Sequence, residues 1–251
     1  MKRAILIAVL CAMLPAMSFA GGAIVFDGTD DYIDTNYRWV NGTDGTLAVW
    51  INTTGTSGKL ISNYANSSAL FYISMGDITP GVPLIDARSS NNQIMRITTC
   101  PAINDGLWHM VCSVMSGTTL TAYLDGVNVG SASNGSFDGT VDTGANFFIG
   151  RAPASSPGYI SGSISVTAIY ASALTSKEIS AMYASGGSWF PKAGLVSRWS
   201  MENNGKSTGQ VHANGSTIKD SAGSNDGTIV DGADSSMVLT SSPVRKKRGR
   251  R

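Results

Sequence analysis

From residue 21 onward, short runs of apolar and β-branched residues recur every eight to twelve positions, each closed by Gly, Asn, Asp, Ser or Pro. That spacing favours strands joined by tight turns over helices. The runs fall at residues 23–26, 32–34, 46–52, 59–62, 69–74, 84–87, 93–99, 107–114, 120–129, 147–150 and 160–170. In Leu120-Thr121-Ala122-Tyr123-Leu124 successive side chains must point to opposite faces of a sheet. Asp125-Gly126 follows as a tight turn, because Gly tolerates the positive φ that such turns need. One helix is expected. Thr175 with Glu178 forms a capping box, Leu174 and Ile179 a hydrophobic staple, and Ile179, Met182 and Tyr183 share a face before Gly186 and Gly187. The pattern predicts an all-β, antiparallel sandwich with one short helix near its C-terminal end.

The two ends of the chain read differently. Lys2 and Arg3 precede an apolar stretch at residues 4–14, Pro15 breaks it, and Ser18-Phe19-Ala20 offers small residues before a cut near Ala20. That layout is a secretory signal peptide, and the apolar stretch is about half of the roughly 20 residues a membrane span needs. The mature chain is therefore expected outside the cytoplasm, secreted or at the cell surface, with no transmembrane segment. Residues 21–244 carry ten Lys and Arg against seventeen Asp and Glu, an acidic body. Arg245, Lys246, Lys247, Arg248, Arg250 and Arg251 then form a basic tail suited to an acidic surface. The export signal argues against nucleic acid as its partner.

Several segments resemble a known family. Phe26-Asp27-Gly28-Thr29-Asp30-Asp31-Tyr32-Ile33, Leu47-Ala48-Val49-Trp50-Ile51 and Asp105-Gly106-Leu107-Trp108-His109-Met110-Val111 are similar to LamG-like (laminin G type 3) domains of the concanavalin A-like lectin/glucanase jelly roll. The likeness continues through Leu120 to Gly126, Phe148-Ile149-Gly150-Arg151, and the stretch from Ile169-Tyr170 to Tyr183. It implies two curved antiparallel sheets packed face to face over about residues 21–190. Residues 194–202 and 220–229 resemble the opening of another such domain. Residues 191–240 are thus either a partial second repeat or strands that fold back onto the first domain, and residues 241–251 are the tail.

Catalytic chemistry finds little support. The glucanases of this fold use paired glutamates, yet Glu occurs only at Glu178 and Glu202. His109 and His212 are the only histidines. His109 sits beside Trp108 where the family has a structural histidine, and His212 lies in a Gly/Asn-rich loop, expected in solvent. No Gly-x-Ser-x-Gly elbow or zinc cluster occurs. A non-catalytic binding module for a glycan or cell-surface partner is expected. The alternative is a structural or assembly protein whose partial repeat pairs with a neighbouring copy.

Three groups of candidate site residues follow. Asp27, Asp30, Asp31 and Asp34 crowd one strand–turn unit, and the resemblance implies a candidate calcium site, since many similar domains hold a calcium ion. The family's closing Gly-x-Ile-Asp-Glu reads Gly162-Ser163-Ile164-Ser165-Val166 here, two acids fewer. Tyr37, Arg38 and Trp39, in the loop after that turn, could stack on a sugar ring and bond its hydroxyls, with Tyr64 and Tyr159 as similar loop aromatics. Cys100 and Cys112 flank the turn at residues 101–106 and are either a disulfide or two buried thiols.

Overall fold

The computed structural model describes residues 22–39, 42–65, 69–142, 144–153, 158–201, 212–231 and 239–241. The segment read as a signal peptide and the basic tail lie outside the described residues. The chain forms β1 (Gly22–Asp27), β2 (Tyr32–Asp34), β3 (Asp44–Asn52), β4 (Gly58–Ser62), β5 (Leu70–Met75) and β6 (Pro83–Arg88). Next come β7 (Ile94–Ile97), β8 (Trp108–Ser116), β9 (Thr119–Leu124), β10 (Val127–Ser133), β11 (Phe148–Ile149) and β12 (Ser161–Tyr170). Helix α1 (Ser176–Ala184), the one helix among the described residues, precedes β13 (Leu195–Ser200), β14 (Thr217–Ile218), β15 (Gly227–Val230) and β16 (Leu239–Ser241).

Two eight-stranded antiparallel sheets result. The first runs β10-β9-β8-β3-β12-β1-β16, with β13 also paired to β12. The second runs β14-β15-β2-β11-β4-β5-β6-β7. Alternation decides which side chains meet. On β3, Leu47, Val49 and Ile51 enter the core between the sheets, whereas Ala48 and Trp50 join a second cluster on the outer face of the first sheet. Helix α1 covers that outer face with Ile179 and Met182. Tyr183 stacks on Trp50, with ring centroids 5.5 Å apart and planes 12° from parallel. The Thr175 hydroxyl accepts the Glu178 amide and the Glu178 carboxylate accepts the Thr175 amide, closing the capping box.

The run read as one strand at residues 120–129 is a hairpin, β9 to β10. Its turn puts Asp125 at φ 52° and Gly126 at φ 81°, as a two-residue type I′ turn requires. The expected strand at residues 147–150 shortens to β11, because Phe147 turns into the core and Gly150 takes φ 92°.

Strands β13, β14, β15 and β16 extend both sheets of the same sandwich. Where β1 leaves the edge of β12 at Ile164, β13 takes it over from Val166 to Tyr170. β15 pairs with β2, and β16 with β1. Trp199, Met201, Ile218 and Ile229 are fully buried in the core between the sheets. The Trp199 Nε1 donates to the Asn225 carbonyl at 2.7 Å. The C-terminal segment is therefore part of one core, and it covers edges that would otherwise present free backbone groups.

A chain ended after Phe190 is accordingly expected to lose the cooperative unfolding of the full chain and to form concentration-dependent oligomers, seen by size-exclusion chromatography and urea titration. Trp199→Ala in the full chain should cost about 3–5 kcal/mol of unfolding free energy.

Candidate functional site

With α1 packed on the first sheet, the outer face of the second sheet is left without a helix over it among the described residues. Ile33, Ile149, Ile61, Ile73, Ile85 and Ile97 point into the core, so their neighbours in the strands point outward. One transverse row of outward residues runs Asp34–Phe148–Ser62–Tyr72–Asp86–Arg96 across five pairings.

At the β4–β7 end of this face lies a cavity of about 250 Å³ lined by Lys59, Tyr64, Tyr72, Asp86, Arg88 and Arg96, with Leu70 and Asp77 completing it. Asp86 is fully buried there. Its Oδ2 accepts from Arg96 Nε at 3.0 Å and from the Tyr72 hydroxyl at 3.4 Å. Its Oδ1 is buried with no hydrogen-bond partner. Burial pushes the Asp86 carboxyl above the usual carboxylate range, and the Arg96 guanidinium offsets only part of that. Burial, reinforced by the charges of Asp86 and Asp77, pushes the Tyr72 phenol up as well, so it stays a hydrogen-bond donor. Lys59 pairs with Asp77, which also accepts from the Ser74 hydroxyl at 2.7 Å. The Lys59 ammonium lies 4.8 Å from the Tyr72 ring centroid. Tyr64 is tilted against Tyr72, centroids 6.0 Å apart, and keeps part of its ring in solvent.

At the other end of the row, Tyr32 and Phe148 stack with centroids 5.1 Å apart. The Arg151 guanidinium sits 4.4 Å from the Tyr32 ring and 5.3 Å from Phe148, and its Nη1 donates to the Tyr159 hydroxyl at 3.1 Å. The face thus combines aromatic surface, forked cationic donors and a buried acceptor. It can stack on a ring and exchange directional hydrogen bonds with hydroxyls.

The residues singled out in the sequence are placed as follows. Trp39 is 2% exposed and lies edge-on between Phe71 and Phe147, so its ring has no face left for a sugar. A Cβ at Gly45 would sit 2.1 Å from that indole, which is why the loop closes over it. Tyr37 is half-buried, stacked on Phe147 at 6.3 Å. Arg38 is exposed and forms a bidentate pair with Asp142 at 2.8 and 2.7 Å. Tyr64 and Tyr159 do belong to the outer face of the second sheet.

Carboxylate oxygens of Asp27, Asp30 and Asp31 come within 4.8 Å of one another at the β1–β2 turn. Asp31 is fully buried and its Oδ2 accepts the Asp27 amide at 2.9 Å, while Asp27 Oδ1 accepts the Thr29 amide at 2.7 Å. Asp34, at the far end of β2, is apart from them and accepts from Asn146 and from the Asn36 amide, each at 2.9 Å. The three clustered carboxylates suit a hard divalent cation and supply part of the six to eight oxygens calcium takes.

Cys100 and Cys112 are both free buried thiols. Cys100 belongs to the core between the sheets and Cys112 to the cluster under α1, so a sheet separates them. Burial pushes the Cys100 thiol up to about 11. His212, expected in solvent, is 1% exposed. His109 Nδ1 meets Asp125 Oδ2 at 2.8 Å and Nε2 meets Asp105 Oδ1 at 3.1 Å, while Asp125 Oδ1 accepts the Met110 amide at 2.9 Å. This histidine ties the β9–β10 turn to β8, a structural task.

Lys59, Tyr72, Asp77, Asp86, Arg88 and Arg96 were not singled out in the sequence. A signal existed in Leu84-Ile85-Asp86-Ala87-Arg88 and Ile94-Met95-Arg96-Ile97, where charges alternate with buried apolar residues. Their convergence depends on the strand register.

These features define an antiparallel jelly-roll sandwich of the lectin type. The chain belongs to the laminin G type 3 family of the concanavalin A-like lectin/glucanase superfamily, whose model matches residues 27–180. No characterised protein sequence matches it significantly. A candidate carbohydrate-binding protein from Bacteroides ovatus has a similar structure, at 17% identity and a TM-score of 0.66, over 89% of this chain and 60% of that one. This chain thus spans less than two thirds of the Bacteroides protein. Domain 4 of the extracellular arabinanase AbnA from Geobacillus stearothermophilus, solved with arabinotriose, aligns at 18% identity and a TM-score of 0.52 over 64% of this chain and 76% of that one. The CBM40 of the Ruminococcus gnavus IT-sialidase aligns at 15% identity and a TM-score of 0.52 over 65% of this chain and 96% of that one. At such identities the likeness is one of fold.

The hydrogen bond to Asp125 raises the His109 pKa above its ordinary value near 6.5, against the pull of burial. A raised folded-state pKa stabilises the fold below the unfolded value, and that contribution is lost as pH rises through the folded value. The urea midpoint should therefore fall between about pH 6 and about pH 8, and His109→Gln should flatten that slope.

Proposed function

We propose that the chain is an exported, non-catalytic carbohydrate-binding module whose ligand lies on the outer face of the second sheet. The observation that carries this reading is Asp86, a buried carboxylate whose Oδ1 has no partner, among the tyrosines and forked cations that line a cavity. An unsatisfied buried acceptor costs about 1–3 kcal/mol, and a ligand hydroxyl donating to it would recover much of that. Tyr64 offers the ring face and Arg88 and Arg96 the donors for sugar oxygens. The carbohydrate-related proteins of similar fold support the reading by analogy. Export rests on the signal-peptide pattern, and the basic tail would add attraction to an acidic surface.

Pairing of subunits through a partial repeat loses its motive, since β13, β15 and β16 pair within the chain. Glu178 is spent on the cap of α1, which leaves it no acid–base task.

A glycan and polysaccharide screen on residues 21–251 tests the proposal, using the full chain and the variants Asp86→Asn and Tyr64→Ala. Binding should appear for the full chain and weaken about tenfold or more in each variant. A folded chain that binds no glycan, or binds equally well in both variants, contradicts it. Calcium at the Asp27, Asp30 and Asp31 turn is a further proposal, motivated by their convergence. At one hundred times its dissociation constant the ion would add about 2.7 kcal/mol of stability. The melting temperature should therefore rise with calcium and fall with EDTA, and Asp31→Asn should abolish the difference.

A further inference from the structure

On the opposite side of the sandwich, the C-terminal return builds a second pocket, of about 470 Å³, lined among others by Ser188, Trp189, Phe190, Lys192, Arg198 and Ser221. All of these residues lie beyond residues 27–180, the segment matched by the family model. On β13, Trp199 enters the core, so Arg198 emerges on the outer side of the first sheet.

Three properties of this pocket favour one kind of ligand. The Trp189 indole is 47% exposed, whereas Trp39, Trp50 and Trp199 are at most 2% exposed. An exposed indole with polar groups beside it can stack on the C–H face of a sugar ring. The pocket also holds two cations, and no carboxylate pairs with Arg198 or Lys192 among the described residues. The neighbouring acid, Asp220, is turned to the backbone. Its Oδ1 accepts from the Arg198 and Ala222 amides at 2.9 Å, and its Oδ2 from the Asn225 amide at 3.1 Å.

Finally, Arg198 is held ready. Its guanidinium stacks 4.6 Å from the Phe190 ring centroid, and its Nη2 donates to the Ser200 hydroxyl at 3.2 Å and to the Gly187 carbonyl at 3.4 Å. Its Nε is buried with no hydrogen-bond partner. Ser188 and Ser221 donate their hydroxyl protons to the Ser185 and Arg198 carbonyls at 2.7 and 2.9 Å, which leaves their oxygens as acceptors.

We propose that this pocket is a second binding site, specific for a carboxylate-bearing sugar. The ring lies on Trp189, the carboxylate sits between the Arg198 guanidinium and the ammonium of Lys192, and Ser188 and Ser221 accept hydroxyl protons. The site stands on its own residues and does not depend on the ligand of the second sheet.

The full chain would be titrated with oligogalacturonate, oligoglucuronate and sialyllactose, each beside an uncharged counterpart, with tryptophan fluorescence as the readout. Trp189 is the exposed indole that such a ligand would perturb. At least one acidic sugar should give a saturable change that its neutral counterpart lacks. Lys192→Glu, at an exposed position that leaves the fold intact, should weaken it about tenfold or more, and Arg198→Lys, which keeps the charge but loses the fork, should weaken it as well. Asp86→Asn should leave it unchanged. The inference is overturned if no acidic sugar binds, if the neutral counterparts bind equally, or if Lys192→Glu and Arg198→Lys bind like the parent chain.

Discussion

β3 has to bury both of its faces, and the rest of the molecule follows from how it does so. Leu47, Val49 and Ile51 face the second sheet, while Ala48 and Trp50 face away from it. A tryptophan on the outer side of a sheet needs a cover, and α1 supplies it by stacking Tyr183 on Trp50 and inserting Ile179 and Met182. The part of the outer side of the first sheet that lies under α1 is thereby spent on packing. The outer side of the second sheet carries no helix among the described residues and is left to polar and aromatic side chains. Its strands keep isoleucines inward in register, so charged residues can be placed outward without cost to the core.

Edge closure is the second constraint. The segment after α1 contributes Trp199, Met201, Ile218 and Ile229 to the core and pairs with β12, β2 and β1. Residues that resemble the start of another domain thus act as the missing edges of this one. The same return carries Asp220, which accepts the backbone amides of Arg198 and Ala222 at 2.9 Å and of Asn225 at 3.1 Å. Those bonds hold the carboxyl of Asp220 below the usual carboxylate range even though burial pulls the other way.

The fold was legible wherever local chemistry and global structure agree. The capping box at Thr175 and Glu178, the Asp125-Gly126 turn and the alternation of β3 and β9 each depend on neighbours in sequence. The site was less so. Trp39 looked like a loop aromatic because nothing local announces Phe71 and Phe147, 32 and 108 residues further on, as its packing partners. The Asp cluster was read as four acids and comes together as three, because Asp34 lies at the far end of β2, bonded to Asn146. Asp86 and Arg96 read only as charges in strands, and their meeting is set by the β6–β7 register. The two cysteines could not be resolved by spacing, since their separation across a sheet depends on which face each strand presents.

The most direct test of the central claim is amide chemical-shift mapping of isotope-labelled residues 21–251 against a pool of neutral oligosaccharides. Ligand on the outer face of the second sheet predicts saturable shifts clustered at Lys59, Tyr64, Tyr72, Asp86, Arg88 and Arg96. Shifts confined to the loop that holds Tyr37, Arg38 and Trp39, or no shifts at all, would contradict it.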